Sequence, residues 1–185
     1  MGRSHILEAG SSVLIVIDVQ EKLAARMAER ETVIASVKPL VVAARRLAIP
    51  ILVTEQYPRG IGPTTPELVA ALGEEYRPIE KLSFGCTGEP AFLARFEALR
   101  RDHAVLCGME SHVCVLQTAL GLLEKGCAVH VAADAVCSRS VENRRTALDL
   151  MRQAGAAVTC WETVVFQWLG KAGTQEFKDL LPLFK

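Results

Sequence analysis

Net charge and long apolar runs are both missing from these 185 residues. Lysine plus arginine equals aspartate plus glutamate at 21 each, so no positive excess exists to draw the chain to nucleic acid or to an anionic membrane surface. Apolar stretches are short and interrupted, and none reaches the roughly 18 residues that a bilayer-spanning helix needs. The opening segment MGRSHILEAGSS has no apolar core of the signal-peptide kind, which predicts no export by that route and a cytoplasmic protein. There is no Cys-x-x-Cys pair, which removes the zinc ribbon and the thioredoxin-type redox site. His5, His103, His112 and His130 are scattered through unrelated segments and form no cluster for a transition metal. What the chain does have is core material, with 50% hydrophobic against 23% charged residues. Its length fits one domain over 1–185 with a core that needs no staples. In that setting Cys86, Cys107, Cys114, Cys127, Cys137 and Cys160 read mostly as small core residues, not as a disulfide framework.

Four short, β-branched, nearly continuous apolar runs, at 13–17, 50–53, 104–107 and 128–133, predict strands covered on both faces. Helical spacing occupies about 33–48, 91–101, 112–125 and 142–154 between and after them. Strand alternating with helix means an α/β chain with a mostly parallel sheet. Further short strands are expected near 77–80 and 156–159, and 161–185 reads as helical and peripheral. The long irregular segment is 55–66, EQYPRGIGPTTP, and loops of that length are often functional. Gly60-Ile61-Gly62 within it lacks the third glycine and the following helix start of a dinucleotide fingerprint.

Three residues stand at carboxyl ends of strands, where open α/β sheets bind ligands. Cys114 follows the strand ending near Cys107 and opens the helix 112–125, whose apolar residues run around most of its circumference. A helix N-terminus favours thiolate over thiol and so points to a nucleophile; burial of the same helix points equally to a packed, inert thiol. Asp18 follows the apolar run Leu14-Ile15-Val16-Ile17, either as a functional acid or as a turn or helix cap. Lys81 follows the candidate strand near 77–80 and alone would read as a surface lysine. His112 is two residues from Cys114, and residues two apart on a regular helix do not face each other, so it is not read as the base of a Cys-His pair.

Together these positions resemble the isochorismatase-like cysteine hydrolase superfamily over the whole chain. The resemblance rests on Ile17-Asp18-Val19-Gln20, on Thr54-Glu55-Gln56-Tyr57-Pro58-Arg59-Gly60-Ile61-Gly62, on Lys81 with Ser83-Phe84, on Gly108-Met109-Glu110 leading to Cys114-Val115, and on Asp134-Ala135 with Ser138-Arg139. The Thr-Glu-Gln-Tyr-Pro loop is similar to that of the isochorismatase-domain-containing branch. The resemblance implies a Rossmann-like three-layer sandwich around a six-stranded sheet, and a triad of Asp18, Lys81 and Cys114. It also implies a cis peptide between Met109 and Glu110 that turns the N–H groups of Glu110 and Cys114 into an oxyanion hole. Gln20, Gln56, Tyr57, Phe84 and His112 are assigned to the pocket. Homo-oligomers, dimers or larger, are expected by the same resemblance.

Where the nicotinamidase branch carries an Asp and a His that bind a metal, this chain has Glu55 and Tyr57. No metal and no cofactor are therefore expected. Isochorismate itself, a vinyl ether with two carboxylates, calls for several cationic or donor groups, and Arg59 and Arg139 are the obvious candidates. The leading reading is a hydrolase of a C–N bond in a small amide, working through a thioester on Cys114. The alternatives are a vinyl-ether hydrolase, a noncatalytic homo-oligomeric scaffold that retains the fold, and a redox-responsive thiol protein.

Overall fold

The structure is a computed structural model that describes residues 6–185, so His5 lies outside the described residues. The strands are β1 (Ser12–Ile17), β2 (Ile51–Gln56), β3 (Ile79–Lys81), β4 (His103–Met109), β5 (Ala128–Cys137) and β6 (Ala157–Thr159). They pair in the order β3-β2-β1-β4-β5-β6, and all five pairings are parallel. The helices are α1 (Glu21–Ala24), α2 (Arg30–Arg46), α3 (Pro58–Ile61), α4 (Pro66–Leu72), α5 (Pro90–Ala98), α6 (Leu116–Glu124), α7 (Val141–Gln153), α8 (Trp161–Leu169) and α9 (Gln175–Leu180).

Successive side chains of a strand point to opposite faces, so the apolar run of β1 supplies two cores at once. Leu14 and Val16 pack with Val37, Leu40 and Val41 of α2 and with Val164 and Val165 of α8. Val13, Ile15 and Ile17 pack with Phe92 and Phe96 of α5, Ala119 and Leu122 of α6, and Met151 of α7. This is the three-layer α/β sandwich expected from the alternation of elements.

Strand order also places the site. From β1 the chain builds outward to β2 and β3 on one side, then returns to add β4, β5 and β6 on the other. The carboxyl ends of β1 and β4 therefore flank the topological switch point, where such sheets form their ligand crevice. Gly108 lets these two strands approach closely. It pairs with Ile17, has φ +123, and a Cβ placed there would lie 1.9 Å from the Ile17 carbonyl oxygen. Gly108→Ala is expected to destabilise the protein by about 3 kcal/mol, through overpacking and an unfavourable φ. A thermal melt superimposable on the native one would contradict the close approach.

Three local differences from the sequence expectations matter for function. The segment 55–66 is less irregular than expected, because Glu55 and Gln56 complete β2 and Pro58–Ile61 form a helical turn. Pro66–Leu72 form a helix that starts with proline at its first position, where the missing N–H is tolerated. The helix expected over 112–125 begins as a wide π-type turn, Ser111–Val115, before α6 proper. There the Val115 N–H donates back five residues to the Glu110 carbonyl at 3.2 Å, and Val113 donates to the same oxygen at 3.1 Å.

Candidate active site

Asp18 is the first residue beyond β1 and has φ +51, a left-handed conformation that aspartate tolerates better than most residues. Its side chain is fully buried. The Thr54 hydroxyl donates to Oδ1 at 2.7 Å, and Lys81 Nζ lies 2.7 Å from Oδ2. The Cys114 thiol belongs to the same set, its titration coupled to the Asp18 carboxylate and to Lys81. Residues from β1, β3 and the turn after β4 thus converge on one point.

Lys81 is held by more than its charge. Its ammonium group donates to Gln56 Oε1 at 2.6 Å, to the Phe84 carbonyl at 3.0 Å and to the Ser83 carbonyl at 3.2 Å. These three acceptors match its three protons, and the Asp18 carboxylate supplies the counter-charge that a buried cation needs. Burial alone would lower the affinity of Lys81 for its proton. The neighbouring Asp18 carboxylate, with smaller contributions from the nearby cysteines, outweighs that and holds Lys81 above its ordinary value.

Burial sets the protonation of the other two groups as well. It pushes the Cys114 thiol up to about 12, with the Asp18 carboxylate adding to the shift and Lys81 opposing it. It also raises Asp18 above an ordinary aspartate, against the lowering influence of Lys81, Thr54 and Cys114. A helix N-terminus by itself favours the thiolate form. Burial opposes that preference here: a thiol only 5% exposed beside a carboxylate holds its proton more tightly.

The Met109–Glu110 peptide is cis. Glu110, itself buried, is clamped from outside: Arg139 donates its backbone N–H at 2.9 Å, Nε at 3.1 Å and a terminal nitrogen at 2.8 Å to the Glu110 carboxylate.

A match to the isochorismatase domain family covers residues 12–163. The chain belongs to the isochorismatase family. It is 39% identical over 177 residues to isochorismatase domain-containing protein 2 of Homo sapiens, covering 95% of this chain and 84% of that protein. A solved structure described as the MAR1 ribonuclease of Caenorhabditis elegans is similar with a TM-score of 0.89 and 39% identity, over 96% of this chain and 91% of that one. The Escherichia coli YcaC gene product, described as an octameric hydrolase of unknown specificity, shares the fold with a TM-score of 0.90 at 23% identity, over 99% and 92% of the two chains.

In this isochorismatase-family chain the residues assigned to the pocket divide. Tyr57 is half exposed and lines a cleft of about 410 Å³ with Pro58, Arg59, Lys81, Leu82 and Glu89. Gln20 is buried and braces the backbone: its amide nitrogen donates to the Gln56 and Gly62 carbonyls, and its oxygen accepts from the Gln56 N–H. Gln56 faces Lys81 and donates to the Leu82 carbonyl at 2.9 Å. Phe84 is exposed and outside that cleft. The π-type turn makes the start of the helix irregular, yet His112 does not serve Cys114. Its Nδ1 is 2.9 Å from Ser138 Oγ and its Nε2 is 3.3 Å from Asn143 Nδ2.

One oxygen of Glu55, Oε1, accepts from the Thr64 N–H, the Thr64 hydroxyl and the Tyr76 hydroxyl at 2.7, 2.7 and 2.8 Å. Among the described residues no three of the His, Cys, Asp and Glu side chains gather as metal ligands would. Asp134 accepts from the Trp161 N–H at the start of α8. The residue that sequence reasoning passed over is Thr54, whose signal was a polar side chain closing the apolar run Ile51-Leu52-Val53.

Proposed function

We propose that this chain is a cysteine hydrolase that cleaves the C–N bond of a small amide through a thioester on Cys114. The observation that carries the reading is the fully buried Asp18–Lys81 pair at 2.7 Å, electrostatically coupled to the buried Cys114 thiol. A buried ion pair is weak evidence for stability, so its position beside a thiol at the switch point calls for a chemical reason.

The steps follow from the proton positions. Asp18 takes the Sγ proton as the Sγ–C bond forms, and the carbonyl electrons move onto oxygen. The N–H groups of Glu110 and Cys114 are assigned to that oxyanion, in the manner of preorganised donors. As the C–N bond breaks, the protonated Asp18 returns its proton to the departing amine. Water then attacks the thioester, giving its proton to Asp18; the C–S bond breaks, and the thiolate recovers that proton. Lys81 stays charged throughout and offsets the negative charge shared by Asp18 and Cys114.

Vinyl-ether hydrolysis is the second reading, and Arg139 is the observation that weighs against it. It is one of the two cations available for a dicarboxylate, and it is committed to Glu110. We assign the protein to the cytoplasm, a reading supported by the reduced thiol that the proposed chemistry needs at Cys114, which suits a reducing compartment. We also assign it a homo-oligomeric state, by analogy with the octameric E. coli neighbour.

The test is incubation with a panel of small primary and N-substituted amides, a vinyl-ether dicarboxylate and RNA as comparators. Amine release and intact-protein mass are both read. The expected result is an acyl adduct mapping to Cys114 and amine release that falls by about 10⁴-fold or more in Cys114→Ala. Release that survives Cys114→Ala, or turnover of RNA alone, would sink the proposal.

A further inference from the structure

We infer that Thr54 is a positioning residue: its hydroxyl holds Asp18 as a correctly aimed carboxylate beside Cys114. The inference rests on the Asp18–Lys81–Cys114 reading of the site. Thr54 grips Asp18 twice. Its carbonyl accepts the Asp18 N–H at 3.2 Å, and its hydroxyl donates to Asp18 Oδ1 at 2.7 Å. The first bond extends the β1–β2 pairing, in which Ile17 sits opposite Thr54. The second reaches the atom opposite the one that faces Lys81.

The direction of the hydroxyl proton is also determined. The Cys86 thiol lies 3.9 Å from Thr54 Oγ1 as a weak donor, and a carboxylate can only accept, so the single Thr54 proton goes to Asp18. The titratable groups facing Asp18 are Lys81 from β3, Cys114 from the turn before α6, and Cys86 from the segment before α5. Thr54 contributes no charge and is fully buried, so what it supplies is orientation and preference for the ionised form. A hydrogen bond to a carboxylate favours the charged state, and its loss shifts titration by about one pH unit.

That shift is readable without a known substrate. Alkylation of Cys114 by iodoacetamide requires the thiolate. Its rate rises with pH until Asp18 is ionised and then levels off, because further reaction only moves a proton from sulfur to carboxylate. Rates are measured by peptide-resolved mass spectrometry across about pH 4 to 9 for the native chain, Thr54→Val, Thr54→Ser and Asp18→Asn. Thermal melts establish that each is folded.

The expected result is a levelling-off point about one pH unit higher in Thr54→Val, a native value in Thr54→Ser, and no levelling in Asp18→Asn. A Thr54→Val profile that coincides with the native one, while Asp18→Asn loses its plateau, overturns the role of Thr54 and leaves the triad standing. Equal shifts in the Val and Ser variants overturn it too, since the hydroxyl would then be irrelevant. An Asp18→Asn profile identical to the native one removes the triad reading and this inference with it. If Thr54→Val does not fold, Thr54→Ala is judged by the same criterion.

Discussion

Asp18→Asn is expected to separate the reactivity of Cys114 from turnover. Asparagine fits the space and tolerates the left-handed φ of +51 at this position, so the backbone has no reason to move. What is lost is a proton acceptor. The carboxylate is one of the influences that push the Cys114 thiol up to about 12, so without it the thiol loses its proton more readily beside Lys81. Alkylation of Cys114 should keep climbing about tenfold per pH unit where the native rate has levelled off. Amide hydrolysis should fall by about 10²–10⁴-fold in kcat/KM, because no group remains to protonate the departing amine. The two readouts move in opposite directions only if Asp18 acts as both base and acid. A joint loss of alkylation and turnover would point to a collapsed site, and unchanged turnover would remove Asp18 from the mechanism.

The sheet was legible because parallel strands buried on both faces read as nearly continuous apolar runs, and 13–17, 50–53, 104–107 and 128–133 do so within β1, β2, β4 and β5. The strand β3 is only three residues long, at the sheet edge with Glu80 exposed, and such a short pattern carries little signal. Asp18 and Cys114 border apolar runs and were legible as candidates on that ground, whereas Lys81 alone read as a surface lysine and joined them only through the family resemblance. The protonation of the three was not legible. A helix terminus argues for a thiolate, but the outcome turns on burial and on the carboxylate beside Cys114, which are tertiary facts. The same limit explains Gln56, assigned to a pocket but turned toward Lys81. It also explains the pair Ser138 and Arg139, which hold His112 and Glu110 in place. A motif shows that a residue is at the site, and only the fold shows which way its side chain points.

Lys81→Met should produce the largest loss of stability among the variants considered, with a characteristic pH dependence. Methionine matches the length of lysine but leaves the Asp18 carboxylate buried without its counter-charge, a defect that typically costs about 3–5 kcal/mol. Removing Lys81 also removes the main influence that lowers Asp18 against the pull of burial, so Asp18 should rise further above its ordinary value. A carboxyl raised in the folded state contributes stability below its unfolded pKa and loses it as pH increases through the folded one. The deficit relative to the native chain is therefore greatest at neutral and alkaline pH and narrows on acidification toward the ordinary aspartate value of 3.8. Thermal melts across that range measure it directly. The double variant Asp18→Asn/Lys81→Met tests the cause, since replacing both ions leaves no buried charge and should recover most of the loss. Any remainder belongs to Gln56 and the carbonyls of Ser83 and Phe84, which lose the Lys81 donor whatever stands at position 18. A double variant no more stable than Lys81→Met, with a deficit that does not vary with pH, would mean that Lys81 stabilises the fold through those three acceptors and not through Asp18.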